Sequence, residues 1–362
     1  MYVTIYYIIS VVMNGGAPGE EMRKIQLTGG STYIVSLPKS WVQQMGLERG
    51  SLVSITRAND LSLQIQPIGA ERAERPRRAV VTVSEGDNPE SVIRRVVSSY
   101  LLGYNIIHVR APGSRMGSEH RFAVKDFTRK KLMGTEILSD LPQELTLQVL
   151  LSYSDLSVKD ALRRMGVIAA SMHREAIGTI GSDDARLARE IISMDDEVDR
   201  FSFYIIRLLK VAVVDGVVLR ESGLRSPREC LGHRLITKSV ERMADHAVKI
   251  ATNSLTLTMA NLNEEVLDEL RGLSESALGV FEGAIEALFE EDYSTADGVL
   301  ERAAGTRGLE AGAVQKIIKN ALPEDVPALR LILESIIRTA EYGADIAEVV
   351  LNMTVQGVIR EE

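Results

Sequence analysis

From Asp155 to about Gly357, apolar residues recur at helical spacing through long stretches near 157–179, 183–211, 224–257, 263–290, 294–319 and 325–356. Their succession reads as two sets of three, about 155–258 and 263–357, with Thr258 to Leu262 as the junction. A three-helix unit repeated in tandem leaves few architectures open, because each helix must bury one apolar stripe against its neighbours. The scarcity of aromatic residues, 5% with a single Trp, agrees with a core filled by Leu, Ile, Val, Ala and Met.

The third stretch of each set carries an E-x-x-x-D pair, Glu241 with Asp245 and Glu341 with Asp345. Residues four apart lie about 40° around a helix and about 6 Å along it, so each pair projects from one face. Like charges placed this way cost roughly 0.2–0.5 kcal/mol. Their repetition at matched positions invites a compensating cation, and hard carboxylate oxygens suit iron, zinc, manganese or magnesium. The plain alternative is two solvated pairs screened by Arg242 and Arg338. In the second stretch of the first set, Asp195 and Asp199 would face Glu241 and Asp245 across an antiparallel packing, so that four carboxylates converge.

With its two three-helix repeats and the run Glu241-Arg242-Met243-Ala244-Asp245-His246-Ala247, this half resembles the PhoU family of phosphate-uptake regulators and its Glu-Arg-x-x-Asp-His-Ala signature. The resemblance implies metal, iron or zinc, on Asp195, Asp199, Glu241 and Asp245 in the first repeat and on Glu341 and Asp345 in the second. It implies no organic cofactor. When Ala188 is matched to Ala296, the acidic turn of the first repeat falls on Ala303 to Arg307 of the second, which offers no carboxylate.

Residues 22–70 read as a separate small β-unit. Lys24 to Leu27 and Tyr33 to Leu37 alternate around Gly29-Gly30, Pro38 opens a short helix over Lys39 to Met45, and Gly46 closes it. Ser51 to Arg57 and Leu61 to Gln66 alternate again around Asn59-Asp60. So short a unit has little core of its own, and dimerisation is the obvious supplement. From Met22 to Arg78 there are nine basic and four acidic residues, a local balance of +5 in a chain of net charge −8. Local cations inside an acidic chain suit a tethered nucleic-acid binder. Val35-Ser36-Leu37-Pro38-Lys39 and Gly46-Leu47-Glu48-Arg49-Gly50-Ser51-Leu52-Val53 closely resemble the AbrB/SpoVT swapped-hairpin family. That resemblance implies that DNA is met by the combined surface of a dimer. The candidate contacts are Arg23, Lys24, Lys39, Arg49 and Arg57 for phosphates, with Ser31 and Thr32 as hydroxyl donors near the turn.

The segment between, 79–152, predicts a small α/β connector: a strand over Ala79 to Val83, a helix over Pro89 to Leu102, and strands over Asn105 to Arg110 and Leu145 to Leu151. Its basic run Arg129-Lys130-Lys131 reads as a solvated helix face. The fold class expected for the whole is multidomain α+β. Residues 1–21 are expected to be a poorly ordered extension. Met1 to Met13 lack a basic flank and are too short to span a bilayer, so neither a signal peptide nor membrane insertion is expected. The single cysteine, Cys230, fits a reducing, cytoplasmic setting.

Phosphate-loop, nucleophile-elbow and zinc-protease motifs are absent, and of the scattered histidines only His246 stands beside a motif. The sequence therefore predicts a regulator rather than an enzyme: a dimer or higher oligomer whose helical half reports on phosphate through metal or through a phosphate transporter or signalling protein, and whose β-unit binds DNA. Two other readings stay open, an adaptor at a phosphate transporter that does not bind DNA and a metal-carboxylate helical bundle with oxidase or storage activity.

Overall fold

A computed structural model of the chain describes residues 21–57, 62–68, 76–113, 115–182, 184–258 and 262–360. The expected extension (all but Glu21), the turn at Asn59-Asp60 and most of the stretch Glu71 to Arg78 lie outside these residues. The chain forms two compact units, 1–75 and 76–362.

In the first unit, β1 (Gln26–Thr28) and β2 (Thr32–Ile34) form an antiparallel hairpin with Leu27 opposite Tyr33. Gly29 and Gly30 make its turn at φ 63° and 82°, a left-handed region where a side chain is disfavoured. Helix α1 (Lys39–Gln44) follows Pro38, whose fixed φ of −58° suits a helix entry, and Gly46 leaves it at φ 63°. Strands β3 (Val53–Arg57) and β4 (Leu63–Pro67) pair antiparallel with Ile55 opposite Ile65. The two hairpins are separate two-stranded sheets. Among the described residues of this unit no side chain is buried, and Leu27, Tyr33, Leu52, Ile55 and Leu63 are each more than half exposed.

The second unit begins with an α/β module. Its sheet has the order β5 (Arg78–Thr82), β6 (Ile106–Arg110), β8 (Glu144–Val149), β7 (Thr135–Leu141), parallel between β5 and β6 and antiparallel elsewhere. The parallel pair is joined through α2 (Pro89–Leu101), whose N-cap Asn88 accepts a hydrogen bond from the Glu90 amide. Val92, Val96 and Tyr100 of α2 are buried with Ile107, Val109, Leu145 and Leu147 of the sheet. Two elements here go beyond the sequence expectation: α3 (Ser118–Lys131), of which the sequence marks only the run Arg129-Lys130-Lys131 as helical, and β7, whose register shift between Ile137 and Ser139 breaks the period of two.

The helical region contains α4 (Val158–Gly178), α5 (Ala185–Ala212), α6 (Gly216–Glu221), α7 (Pro227–Ser254), α8 (Glu264–Glu290), α9 (Tyr293–Gly308), α10 (Glu310–Asn320) and α11 (Val326–Thr354). Helices α4, α5 and α7 pack on one another, as do α8, α9 and α11, and α7 against α11 joins the two bundles into one core. The tandem three-helix reading holds, with two corrections. The stretch 224–257 begins only at Pro227, after α6 and a turn at Gly223 with φ 78°. The stretch 294–319 divides at Leu309, in a run where Gly305, Gly308 and Gly312 weaken helix propensity.

Gly343 of α11 lets the two helices approach closely, because a Cβ there would stand 2.9 Å from the Phe281 backbone of α8. Between the repeats lies buried His173 of α4. Its Nε2 is 2.9 Å from Ser274 Oγ of α8 and its Nδ1 3.3 Å from Thr339 Oγ1 of α11. Among the described residues no helix is long and apolar enough to cross a membrane.

Candidate functional site

The acidic turn Asp195 to Asp199 lies near the middle of α5. Ile191, Val198 and Ser202 are buried on its inward stripe, and Asp195, four residues after Ile191, shares that stripe. Asp195, Asp196 and Asp199 are therefore half-buried, while Glu197 points to solvent. Asp245 of α7 lies close enough for its charge to act on Asp195, and Asp199 acts on Asp245 in return. Asp195, Asp199 and Asp245 thus feel one another's charge between α5 and α7, but no group of three or more His, Cys, Asp or Glu side chains placed to hold a metal occurs among the described residues.

Its charges are answered from within the chain. Lys131, at the end of α3 in the α/β module, places Nζ 2.5 Å from Asp196 Oδ1, 2.7 Å from Asp199 Oδ2 and 3.9 Å from Asp195 Oδ2. Its side chain is 16% exposed, so the expectation of a solvated face fails at this residue. Lys130 does face solvent, paired with Asp126 one turn back. Burial works against the Lys131 ammonium, but its bonds to Asp196 and Asp199 outweigh it and hold its pKa above the ordinary value. Burial, followed by the charge of Asp199, pushes Asp195 up to about 6, and Asp195 Oδ1 is buried without a hydrogen-bond partner among the described residues. On α7, Glu241 is turned to Lys238, and desolvation and the Glu241 charge raise the pKa of Asp245.

In the second repeat Glu341 accepts from Arg338 at 2.8 Å. Asp345 has a raised pKa, from desolvation first and then from Glu348 and Glu341, with Arg242 and Arg307 opposing. Arg307 belongs to the segment that the sequence alignment of the two repeats left without carboxylates. His246 is buried between α7 and α11, with Nε2 3.4 Å from the Tyr342 hydroxyl, and burial together with Lys249 and Arg338 brings its pKa down to about 4.

The family resemblance implies iron or zinc on these carboxylates. As folded, the donors do not fit such a cluster: Asp196 and Asp199 already hold an ammonium, Glu241 is taken by Lys238 and Glu341 by Arg338. A metal would have to expel Lys131 first. The sequence signal for Lys131 was faint but real, since His120, Val124 and Thr128 form the buried stripe of α3 and Lys131 continues it at the next turn.

The nucleic-acid candidates Arg23, Lys24, Ser31, Thr32, Lys39, Arg49 and Arg57 are all exposed. They fall on separate segments: the approach to β1, the glycine turn and the start of β2, the first residue of α1, the loop before β3, and the end of β3. Arg23 is ion-paired with Glu21. Beside α1 lies an open depression lined by Leu37, Pro38, Trp41, Leu63 and Ile65.

A family model described as PhoU domain matches residues 162–254, the length of the first repeat. A second, described as antidote-toxin recognition MazE, bacterial antitoxin, matches residues 26–73. No curated protein matches the chain. Solved structures similar to it include the phosphate transport system regulatory protein PhoU from Streptococcus pneumoniae and PhoU from Pseudomonas aeruginosa. Each is 18% identical with a TM-score of 0.48, covering 56% of this chain and 96% of that chain. The chain joins an N-terminal MazE/AbrB-like antitoxin domain to a C-terminal helical region that carries a PhoU domain.

Proposed function

We propose that the chain is a cytoplasmic, non-enzymatic regulator of phosphate uptake, in which paired N-terminal units bind DNA and the helical region receives the phosphate signal from a transporter or signalling protein. The observation that carries this reading is the N-terminal unit's surface: Leu27, Tyr33, Leu52, Ile55 and Leu63 are exposed in a single chain, beside exposed Lys24, Lys39, Arg49 and Arg57. Apolar strands without a core need a second copy to cover them, and pairing two copies doubles the cationic surface available to phosphates.

The test is fluorescence anisotropy with labelled DNA from phosphate-transport promoters and the chain's own promoter, across a salt series. Binding should weaken as salt rises, and Lys39→Ala with Arg49→Ala should flatten the salt slope by about 2. A dimer with no affinity for any DNA at low salt would remove the DNA half. The description of the matching N-terminal family as a toxin-recognition domain favours a second reading, in which the unit pairs chains or engages a protein and the whole acts as an adaptor at a transporter.

A further inference from the structure

We propose that Lys131 is a built-in counter-ion that takes the place of a metal in the first acidic set, so that these carboxylates dock the α/β module onto α5 instead of binding iron or zinc. The ammonium lies within 2.7 Å of Asp196 and Asp199 and within 3.9 Å of Asp195, contacts that no divalent cation can share while Lys131 stays. The groups facing the set from neighbouring helices are Glu241 and Asp245, with Lys238 and Lys249, all on α7. None of these cations reaches Asp196 or Asp199.

A second contact across the same interface points the same way. Arg207, buried on α5, reaches into the module and donates from Nη1 to the carbonyls of Tyr100 and, at 2.9 Å, Tyr104, where α2 ends. Its guanidinium lies 4.9 Å from the Tyr100 ring, and Phe127 of α3 meets Phe203 of α5 at 5.9 Å. Each side thus sends a cation into negative groups of the other: Arg207 into a helix C-terminus, Lys131 into an acidic turn. A metal at this turn would displace the module's own anchoring charge.

The experiment is calorimetric melting of the full chain in 1 mM EDTA and in 1 mM MnCl2, with elemental analysis of the purified protein. The wild type should carry no stoichiometric metal and melt alike in both buffers. Lys131→Met should melt about 5 °C lower in EDTA, because three carboxylates lose their cation, and manganese should restore much of the loss. Lys131→Arg should behave as the wild type. Should Lys131→Met fail to fold, Lys131→Met with Asp196→Asn and Asp199→Asn removes the stranded charges and should fold but, lacking the docking ion pairs, melt below the wild type in both buffers without answering to manganese. About one metal or more per chain in the wild type, with a midpoint that falls in EDTA, overturns the proposal. So does Lys131→Met, or the triple variant in its place, melting as the wild type does with the same response to metal.

Discussion

The N-terminal unit and the helical region solve the same problem, burying apolar side chains, on different scales. Helices α7, α8 and α11 place Ile236, Val240, Val280, Phe281, Ile332 and Ile336 out of reach of water within one chain. In the β-unit, Leu27, Ile55 and Leu63 keep their alternation but are not covered by any of the described residues. Two short hairpins cannot wrap a core, whereas helices of 27–29 residues bundled in threes can. The helical region therefore buries its own apolar stripes, and the pairing proposed for the β-unit would do the same for its exposed strands.

The sharpest way to break this contrast is Ile55→Asp. A carboxylate on the exposed β3 face should weaken self-association at least about a hundredfold, read by sedimentation, while the melting of the helical region stays put. If the oligomeric state is unchanged, the β-unit does not pair chains through this face. Next in size is Ile205→Ala in α5, fully buried, which should cost about 4 kcal/mol in denaturant unfolding. Leu27→Ala, 58% exposed in a single chain, should cost almost nothing when the chain is diluted below its association range.

A third test probes the seam between the helical repeats by pH. Burial, with the nearby charge of Arg174, brings His173 from 6.5 down to about 4, so the folded chain keeps it neutral where the unfolded chain is protonated. The unfolded state then binds more protons between these values, and stability falls as pH drops from about 6.5 toward 4, by up to about 3 kcal/mol. His173→Asn should flatten that part of the curve, and an unchanged slope would place the titration elsewhere. A smaller loss is expected of Ser157→Ala, which removes the oxygen that accepts from the Asp160 amide at the start of α4 and should cost about 1 kcal/mol.

Much of the acidic site was legible in one dimension. Asp195 and Asp199, and Glu241 and Asp245, are four apart on strongly amphipathic stretches, and helical period alone sets which face they share. The two repeats also announced themselves through matched apolar spacing. What escaped was Lys131. It lies in a basic run of the kind that usually faces water, 64 residues before its first partner, and only the packing of α3 on α5 brings its charge to the acidic turn. Asp196 escaped with it, since it sits outside the four-residue spacing. The break at Leu309 and the strand β7 were missed for local reasons, a glycine-weakened helix and a bulge that scrambles alternation.

The sequence by itself determined the elements and their faces, because backbone period, capping residues and positive-φ glycines act over a few residues. Hairpins around Gly29-Gly30, a helix opening at Pro38, and three-helix sets with carboxylates at matched turns all follow from such local rules. Only the tertiary structure decided which charge meets which. An ion pair depends on positions brought together from distant parts of the chain, and nothing in the local pattern of α5 states that its neutralising cation arrives from another module.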